Sequence, residues 1–327
     1  MIKKIYNLIR YHFYTIQAAE FLISSPLFLK SPLSQKLVKR GLRQTKKAPL
    51  ELMIEPTNLC NLACLMCPHK TMKREKGIMS NKLFQKIIDQ AARLRVKNIK
   101  LAGMGEPLLD KDIVKKIAYA KKKNLTVKMF TNAMPLNKKI SKQLIESGID
   151  EVIVSIDGGS RKTLERIRKG ASFSKLQTNL ENFNLERQKA LKRSKKIPEL
   201  IINVTHQKGN KQERKLIQKT WGKFTDKIRF FPIHNWGSQE VTPRPSFPCH
   251  LLFFQMAICW DGRVTLCCID YECQYPQGNL NNTSLEKIWQ SKKVWEIRQL
   301  HLRGKSDTIP PCRSCSMQPN WFFTLQF

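Results

Sequence analysis

The sequence predicts an α/β protein, a partial (β/α)6 barrel of the TIM type over residues 49–240, followed by a small cysteine-rich α+β domain over 241–327. Three observations predict it. From residue 50, short apolar strand-like runs alternate six times with segments of helical periodicity, which is the pattern of a parallel sheet. Each strand-like run ends in polar residues, as strands do when their C-terminal ends line a site. After residue 240 the alternation stops and cysteines return.

The first strand is "LELMIEP" (50–56), and the helix after it is "LFQKIIDQAARL" (83–94), whose Leu83, Phe84, Ile87, Ile88, Ala91 and Leu94 share one face. "NIKLAG" (98–103) is the second strand, followed by a Lys-rich helix near 110–123. "TVKMF" (126–130) is the third strand, and the helix "KKISKQLIES" (138–147) stops at Gly148, a residue suited to a C-terminal cap. "DEVIVSID" (150–157), "ELIINVTH" (199–206) and "KIRFFPIH" (227–234) complete six strands. At their ends stand three cysteines, then Gly105-Glu106, Thr131-Asn132, Ser155 with Asp157, His206, and His234-Asn235. Any one of these is compatible with an ordinary cap or turn, Asp157 before Gly158-Gly159 being an example. Six in succession point to a shared rim.

Residues 1–48 form a basic N-terminal helical segment. Ile5, Leu8, Ile9, Phe13 and Ile16 fall at helical spacing beside Lys3, Lys4 and Arg10, which suits packing on the protein body or a peripheral membrane contact. Arg10, His12 and Glu20 interrupt the apolar stretch and argue against a signal peptide. No run of 18 apolar residues occurs, so no membrane span is expected. The formal charge is +34, with seven Lys or Arg and no acid in 30–47 and six in 187–196. That charge suits a solvated Lys-rich surface, an anionic surface or nucleic acid. A cytoplasmic location, with possible membrane association, follows.

The ten cysteines fall into two groups with none between Cys67 and Cys249. Clustered cysteines in a long chain point to metal ahead of a disulfide scaffold. Cys60, Cys64 and Cys67 form C-x3-C-x2-C directly after the first strand. Structural zinc asks for four ligands, whereas a [4Fe–4S] cluster held by three thiolates keeps one iron open. This row resembles the cluster loop of the radical S-adenosylmethionine (radical SAM) superfamily. The resemblance implies that the open iron takes the amino and carboxylate groups of SAM. Met66 stands where an aromatic residue is usual. "GMGEPLL" is similar to the family's Gly-Gly-Glu-Pro motif, implying that Gly105 and Glu106 hold the SAM amino group. "FTNA" resembles its Thr-Asn-Gly strand end, with Thr131 and Asn132 as binding candidates and Ala133 as a departure. Ser155 and Asp157 fall where the family contacts the SAM ribose and carboxylate.

In the second group, Cys249, Gly262 and Cys267 give C-x12-G-x4-C, and "AICWDGRVTLCC" (257–268) reads as a hairpin turned at Asp261-Gly262. "GNLNNTSLEKIW" (278–289) reads as a turn and an N-capped helix, and "PPCRSC" supplies Cys312 and Cys315. This part resembles the SPASM and twitch extensions of radical SAM enzymes, and the resemblance implies an auxiliary [4Fe–4S] cluster on Cys249, Cys267, Cys312 and Cys315; structural zinc suits the same four thiolates. Cys259, Cys268 and Cys273 are left over. The closest family resemblance is to the radical SAM dehydrogenases of aminocyclitols. It implies SAM cleavage to a 5′-deoxyadenosyl radical, hydrogen abstraction from a sugar or cyclitol alcohol, and an electron passed to the auxiliary cluster. Its reductant would be a flavodoxin or ferredoxin. His206, His234 and Glu240 are the candidates for a catalytic base. A peptide-modifying maturase, a redox-neutral epimerase and an RNA-modifying radical enzyme are the alternatives.

Overall fold

The structure, a computed structural model, describes residues 31–193, 196–234 and 248–316. The helix expected within residues 1–29 lies outside the described residues. The chain divides into two compact units that do not follow chain order. One comprises 51–233 and 257–285, and the other comprises the remaining segments around 31–50, 248–256 and 286–316.

The larger unit contains the six parallel strands. They are β1 (Glu51–Ile54), β2 (Asn98–Leu101), β3 (Thr126–Thr131), β4 (Glu151–Ser155), β5 (Glu199–His206) and β6 (Lys227–Pro232). Each pairs with its successor in parallel register, so strand order equals chain order. That topology is the expected partial barrel, and it gathers the C-terminal strand ends on one rim. β1 is buried at all four positions, because a parallel strand covered on both sides leaves no polar face.

The helices begin where side chains satisfy their first amides. In α1 (Asn81–Arg93) the Ser80 hydroxyl accepts from the Leu83 N–H, and Leu83, Phe84, Ile87, Ile88 and Ala91 are the buried face. α2 spans Ile113–Lys122. α3 (Lys138–Glu146) is capped by Asn137 and ends before Gly148, whose φ of +77° is the left-handed cap conformation the sequence predicts there. Between β4 and β5 the chain makes two helices, α4 (Arg161–Ile167) and α5 (Phe173–Lys192), each opened by a serine cap. Gly170, at φ +96°, separates them. α6 is Arg214–Trp221.

The larger unit also holds the paired residues of a hairpin, Ala257 and Ile258 with Thr265 and Val264. β7 (Gln255–Ile258) pairs antiparallel with β8 (Arg263–Thr265) across Gly262, whose φ is +87°, as the Asp-Gly turn predicts. Gly278–Asn279, read in the sequence as part of a turn, adds a short antiparallel strand to β8. Two residues are too few to show a period.

In the other unit, the basic run 30–47 is largely the helix α7 (Pro32–Gln44), with Lys36, Lys39, Arg40 and Arg43 exposed. The second basic run behaves differently, since Arg187 is buried and ion-paired with Asp226. In the smaller unit Arg298, on α8 (Lys292–Leu302), stacks on the Trp289 ring at 3.9 Å and donates to the Leu252 carbonyl. Its burial pushes the guanidinium down to about 10. No described helix is long and apolar enough to cross a membrane.

Trp221 anchors the loop after β4. It is fully buried, lies 5.0 Å from the Phe173 ring, and donates its indole N–H to the Gly158 carbonyl at 2.8 Å. Trp221→Ala is expected to lower stability by about 3–5 kcal/mol, read as a shift in the denaturant midpoint. A loss below about 1 kcal/mol would mean that the cavity collapses and the ring is no anchor.

Candidate functional site

β1 leads into a loop whose backbone is fastened before it reaches the first cysteine. Thr57 and Asn58 are buried, and their side chains donate to the carbonyls of Gly77 and Glu75, both at 2.7 Å. The Asn58 amide oxygen accepts from the Gly77 N–H, and a ring nitrogen of His69 lies 2.8 Å from the Asn58 carbonyl. Further on, Ala63 and Leu65 donate backbone N–H groups to the carbonyls of Lys169 and Ile167. The three cysteines thus sit on a loop tied at both ends. All three are half-buried; Cys60 feels the charge of Cys64 and Cys67, Cys67 that of Cys64, and Cys64 those of Arg168 and Asp157. Burial pushes Cys60 up to about 11, and raises Cys64 and Cys67 as well. Metal binding to such thiols releases protons.

The Gly-Glu-Pro stretch is locked onto this loop. A Cβ on Gly105 would stand 2.2 Å from the Thr57 carbonyl oxygen and 2.6 Å from that of Leu59, so only glycine fits. The next amide, Glu106 N–H, donates to the Leu59 carbonyl at 2.7 Å, one residue before Cys60. Glu106 itself is buried. One carboxylate oxygen accepts from the Thr131 hydroxyl at 2.6 Å and the Leu108 N–H, and the other from the Asn132 N–H at 2.6 Å. Burial still raises its pKa. A carboxylate offers about four acceptor positions, so one remains after these three donors. Asn132 continues the network to the Asn61 side chain at 2.9 Å, beside Cys60. Ala133, the departure from the family's glycine, adopts φ +57°, the left-handed conformation that glycine takes without strain.

Asp157 is fully buried. Its Oδ1 accepts from the Thr205 N–H at 2.6 Å, and its Oδ2 makes an ion contact with Arg168 at 2.7 Å, close in distance without the alignment of a hydrogen bond. Arg168 reaches Cys64, with 3.9 Å between Nη1 and Sγ. Its positive charge counters the rise of Cys64 and Cys67. No motif in the sequence singles out Arg168. It lies at the end of α4 in the break that Gly170 makes, and nothing distinguishes it in sequence from the other basic residues. Ser155 stands half-buried at the end of β4, beside Asn203 of β5.

Comparison with known proteins agrees with this arrangement. Residues 54–195 match the model of the radical SAM superfamily, and residues 249–316 match an iron–sulfur cluster-binding domain, SPASM. The chain carries a radical SAM domain. A mycofactocin maturase of Mycobacterium ulcerans is 33% identical over 135 residues, 41% of this chain and 36% of that protein. The chain thus matches about a third of the length of this relative. Two solved structures share the fold: BtrN in complex with AdoMet and 2-DOIA (TM-score 0.58, 19% identity, 83% of this chain and 94% of that one), and anSMEcpe with bound AdoMet (TM-score 0.62, 16% identity, 85% and 94%). Identities this low establish the fold alone.

The radical SAM domain implies a [4Fe–4S] cluster and SAM, and the SPASM domain implies an auxiliary iron–sulfur cluster. The residues present fit the first group. Three half-buried thiols on a fastened loop match a three-thiolate cluster, and a buried carboxylate raised by desolvation suits the SAM ammonium, whose charge would offset that rise. Among the described residues no three His, Cys, Asp or Glu are placed to hold a single metal ion. A cube gives each thiolate its own iron and spreads its ligands wider. For the auxiliary group, Cys249, Cys312 and Cys315 are buried thiols of the smaller unit, and Cys267 is a half-buried thiol of the larger. Within the smaller unit alone, Cys249, Cys312 and Cys315 supply three thiols of the kind that ligate an iron–sulfur cluster. The Cys249 N–H points to the Nδ1 of buried His301 at 3.4 Å. His206 is half-buried at the end of β5. His234 falls in the other unit, where burial lowers its pKa. Glu240 lies outside the described residues.

Breaking the Asp157–Arg168 pair has a definite expected outcome. Arg168→Met strands a buried carboxylate and should cost about 3–5 kcal/mol, most of it recovered in Arg168→Met/Asp157→Asn. Chemical unfolding of both variants measures this; equal losses in the two would mean that the charges are not coupled.

Proposed function

We propose that the chain is a radical SAM oxidoreductase of the cytoplasm that oxidises an alcohol carbon of a sugar or cyclitol, reduced by a flavodoxin or ferredoxin. The observation that carries the reading is the set Cys249, Cys267, Cys312 and Cys315 within the matched cluster domain. Four thiolates fill every iron of an auxiliary [4Fe–4S] cluster, which leaves electron transfer as its role. When bound, the two clusters and SAM supply a 5′-deoxyadenosyl radical for hydrogen abstraction and an acceptor for the second electron.

The chain's own share is holding and shielding. Cys60, Cys64 and Cys67 ligate the SAM-binding cluster. Glu106 presents its remaining acceptor position to the SAM ammonium, with Gly105 setting its approach. Thr131 and Asn132 fix the Glu106 carboxylate in place, and Ser155 and Asp157 complete the SAM-binding set, Asp157 acting by orienting Arg168. His206, His234 or Glu240 takes the proton that leaves the alcohol oxygen as the carbonyl forms.

A second reading is peptide modification, favoured by the identity to a mycofactocin maturase. One experiment separates the two. After anaerobic reconstitution the chain should hold about eight irons, and with SAM and sugar or cyclitol alcohols in deuterated buffer it should give a product two hydrogens lighter than substrate. Cys312→Ala should keep about four irons and some SAM cleavage while product formation collapses. An equal-mass, deuterium-labelled product would replace oxidation by epimerisation. About four irons and one zinc would remove the electron-transfer role. Turnover of peptides alone would favour the second reading.

A further inference from the structure

Seven of the ten cysteines are assigned above. Of the other three, Cys259 and Cys273 are buried, and their sulfurs stand 2.6 Å apart although the residues are 14 positions apart in sequence. Both backbones are fixed. The Cys259 N–H donates to the Arg263 carbonyl at 2.8 Å and its carbonyl accepts from Gly262, which sets it at the mouth of the β7–β8 hairpin. The Cys273 N–H donates to the Asp270 carbonyl at 2.9 Å, and Cys273 adopts φ +57°, a conformation unusual outside glycine and asparagine. Asp270 holds that turn. It is buried and accepts from the Thr265 hydroxyl and from the N–H groups of Gln274 and Tyr275.

The contact makes the two thiols unequal. Either sulfur can donate to the other; the contact pulls Cys273 down and, together with burial, pushes Cys259 up, which makes Cys273 the readier of the two to ionise. Arg74 and Arg263 both lie within electrostatic reach of the two sulfurs, each also paired with a carboxylate, Glu55 and Asp261. Among the described residues no third side chain joins the pair to make a metal site. What remains is sulfur chemistry: a disulfide needs the sulfurs only roughly 0.5 Å closer.

We infer that Cys259 and Cys273 form a redox modification site, converted from dithiol to disulfide by hydrogen peroxide. The Cys273 thiolate attacks one peroxide oxygen, the O–O bond breaks, and hydroxide leaves as water with a proton from the Cys259 thiol. The Cys259 thiolate then attacks the sulfenic sulfur of Cys273; the S–O bond breaks, and a second water leaves after protonation by solvent. Two thiols and one peroxide give one disulfide and two waters, with two electrons passing from sulfur to oxygen. Burial favours this small neutral oxidant over bulky disulfides. The cross-link closes the segment that carries β8, Cys267 and Cys268. The inference does not rest on the proposed substrate.

The test uses the full chain, loaded with its clusters anaerobically and treated with one molar equivalent of hydrogen peroxide. The reaction is quenched in acid with N-ethylmaleimide and mapped by mass spectrometry, with iron measured in parallel. The expected result is a linked pair of peptides joined through Cys259 and Cys273, two hydrogens lighter than the dithiol, formed before iron is lost. In Cys259→Ser, Cys273 should be trapped by dimedone as the sulfenic acid. N-Ethylmaleimide on both cysteines at every dose that leaves the iron unchanged, or a link from Cys259 to Cys268 instead, would overturn the inference without touching the proposed function.

Discussion

The site depends on one steric constraint, the close approach of the Gly105 backbone to the segment Thr57–Leu59. No side chain fits there, since a Cβ would lie 2.2 Å from a carbonyl oxygen. The approach allows the Glu106 N–H to reach the Leu59 carbonyl. The segment that follows β2 is therefore bonded to the residue before Cys60. From that bond the network runs through the Glu106 carboxylate to Thr131 and Asn132 at the end of β3, and back through Asn61 to the same loop. Three separate stretches of chain become one surface.

Buried ion pairs shape the same rim. Glu55, just after β1, holds Arg74 through two bonds of 2.7 and 2.6 Å and takes the Met104 N–H. Asp110, after β2, pairs with Lys116, and Asp157, after β4, pairs with Arg168. In each case an acid at or beyond a strand end takes a cation from further along the chain and folds the intervening loop back. Such pairs give little net stability, because desolvation offsets their attraction, but losing one partner is costly. They fix geometry. In a chain with 59 basic and 25 acidic residues, these few buried acids select which cations become structural.

Much of this was legible in sequence. β5 is legible at its observed bounds because "ELIINVTH" is apolar and bordered by Pro198 and a polar turn, and the Gly148 and Gly262 conformations follow from their positions in a cap and a turn. The cysteine row and the Gly-Glu-Pro stretch point to the radical SAM domain through their resemblance to its motifs, and the match over residues 54–195 bears that out. Arg168 was hidden because its role comes from a fold-back that no local pattern encodes. The contact of Cys259 with Cys273 was hidden for the same reason, since it joins a hairpin mouth to a turn 14 positions away. Ala133 was seen as a departure from a motif, but only its φ shows why glycine would be at ease there.

The most direct test of this account is the iron content of Gly105→Ala after anaerobic reconstitution. The added methyl should push the Thr57–Leu59 segment away, unseat the first cysteine, and lower the iron from about eight to about four per chain while the auxiliary cluster and the circular dichroism remain. Full iron loading with native SAM affinity would contradict the claim that this backbone approach positions the cluster loop.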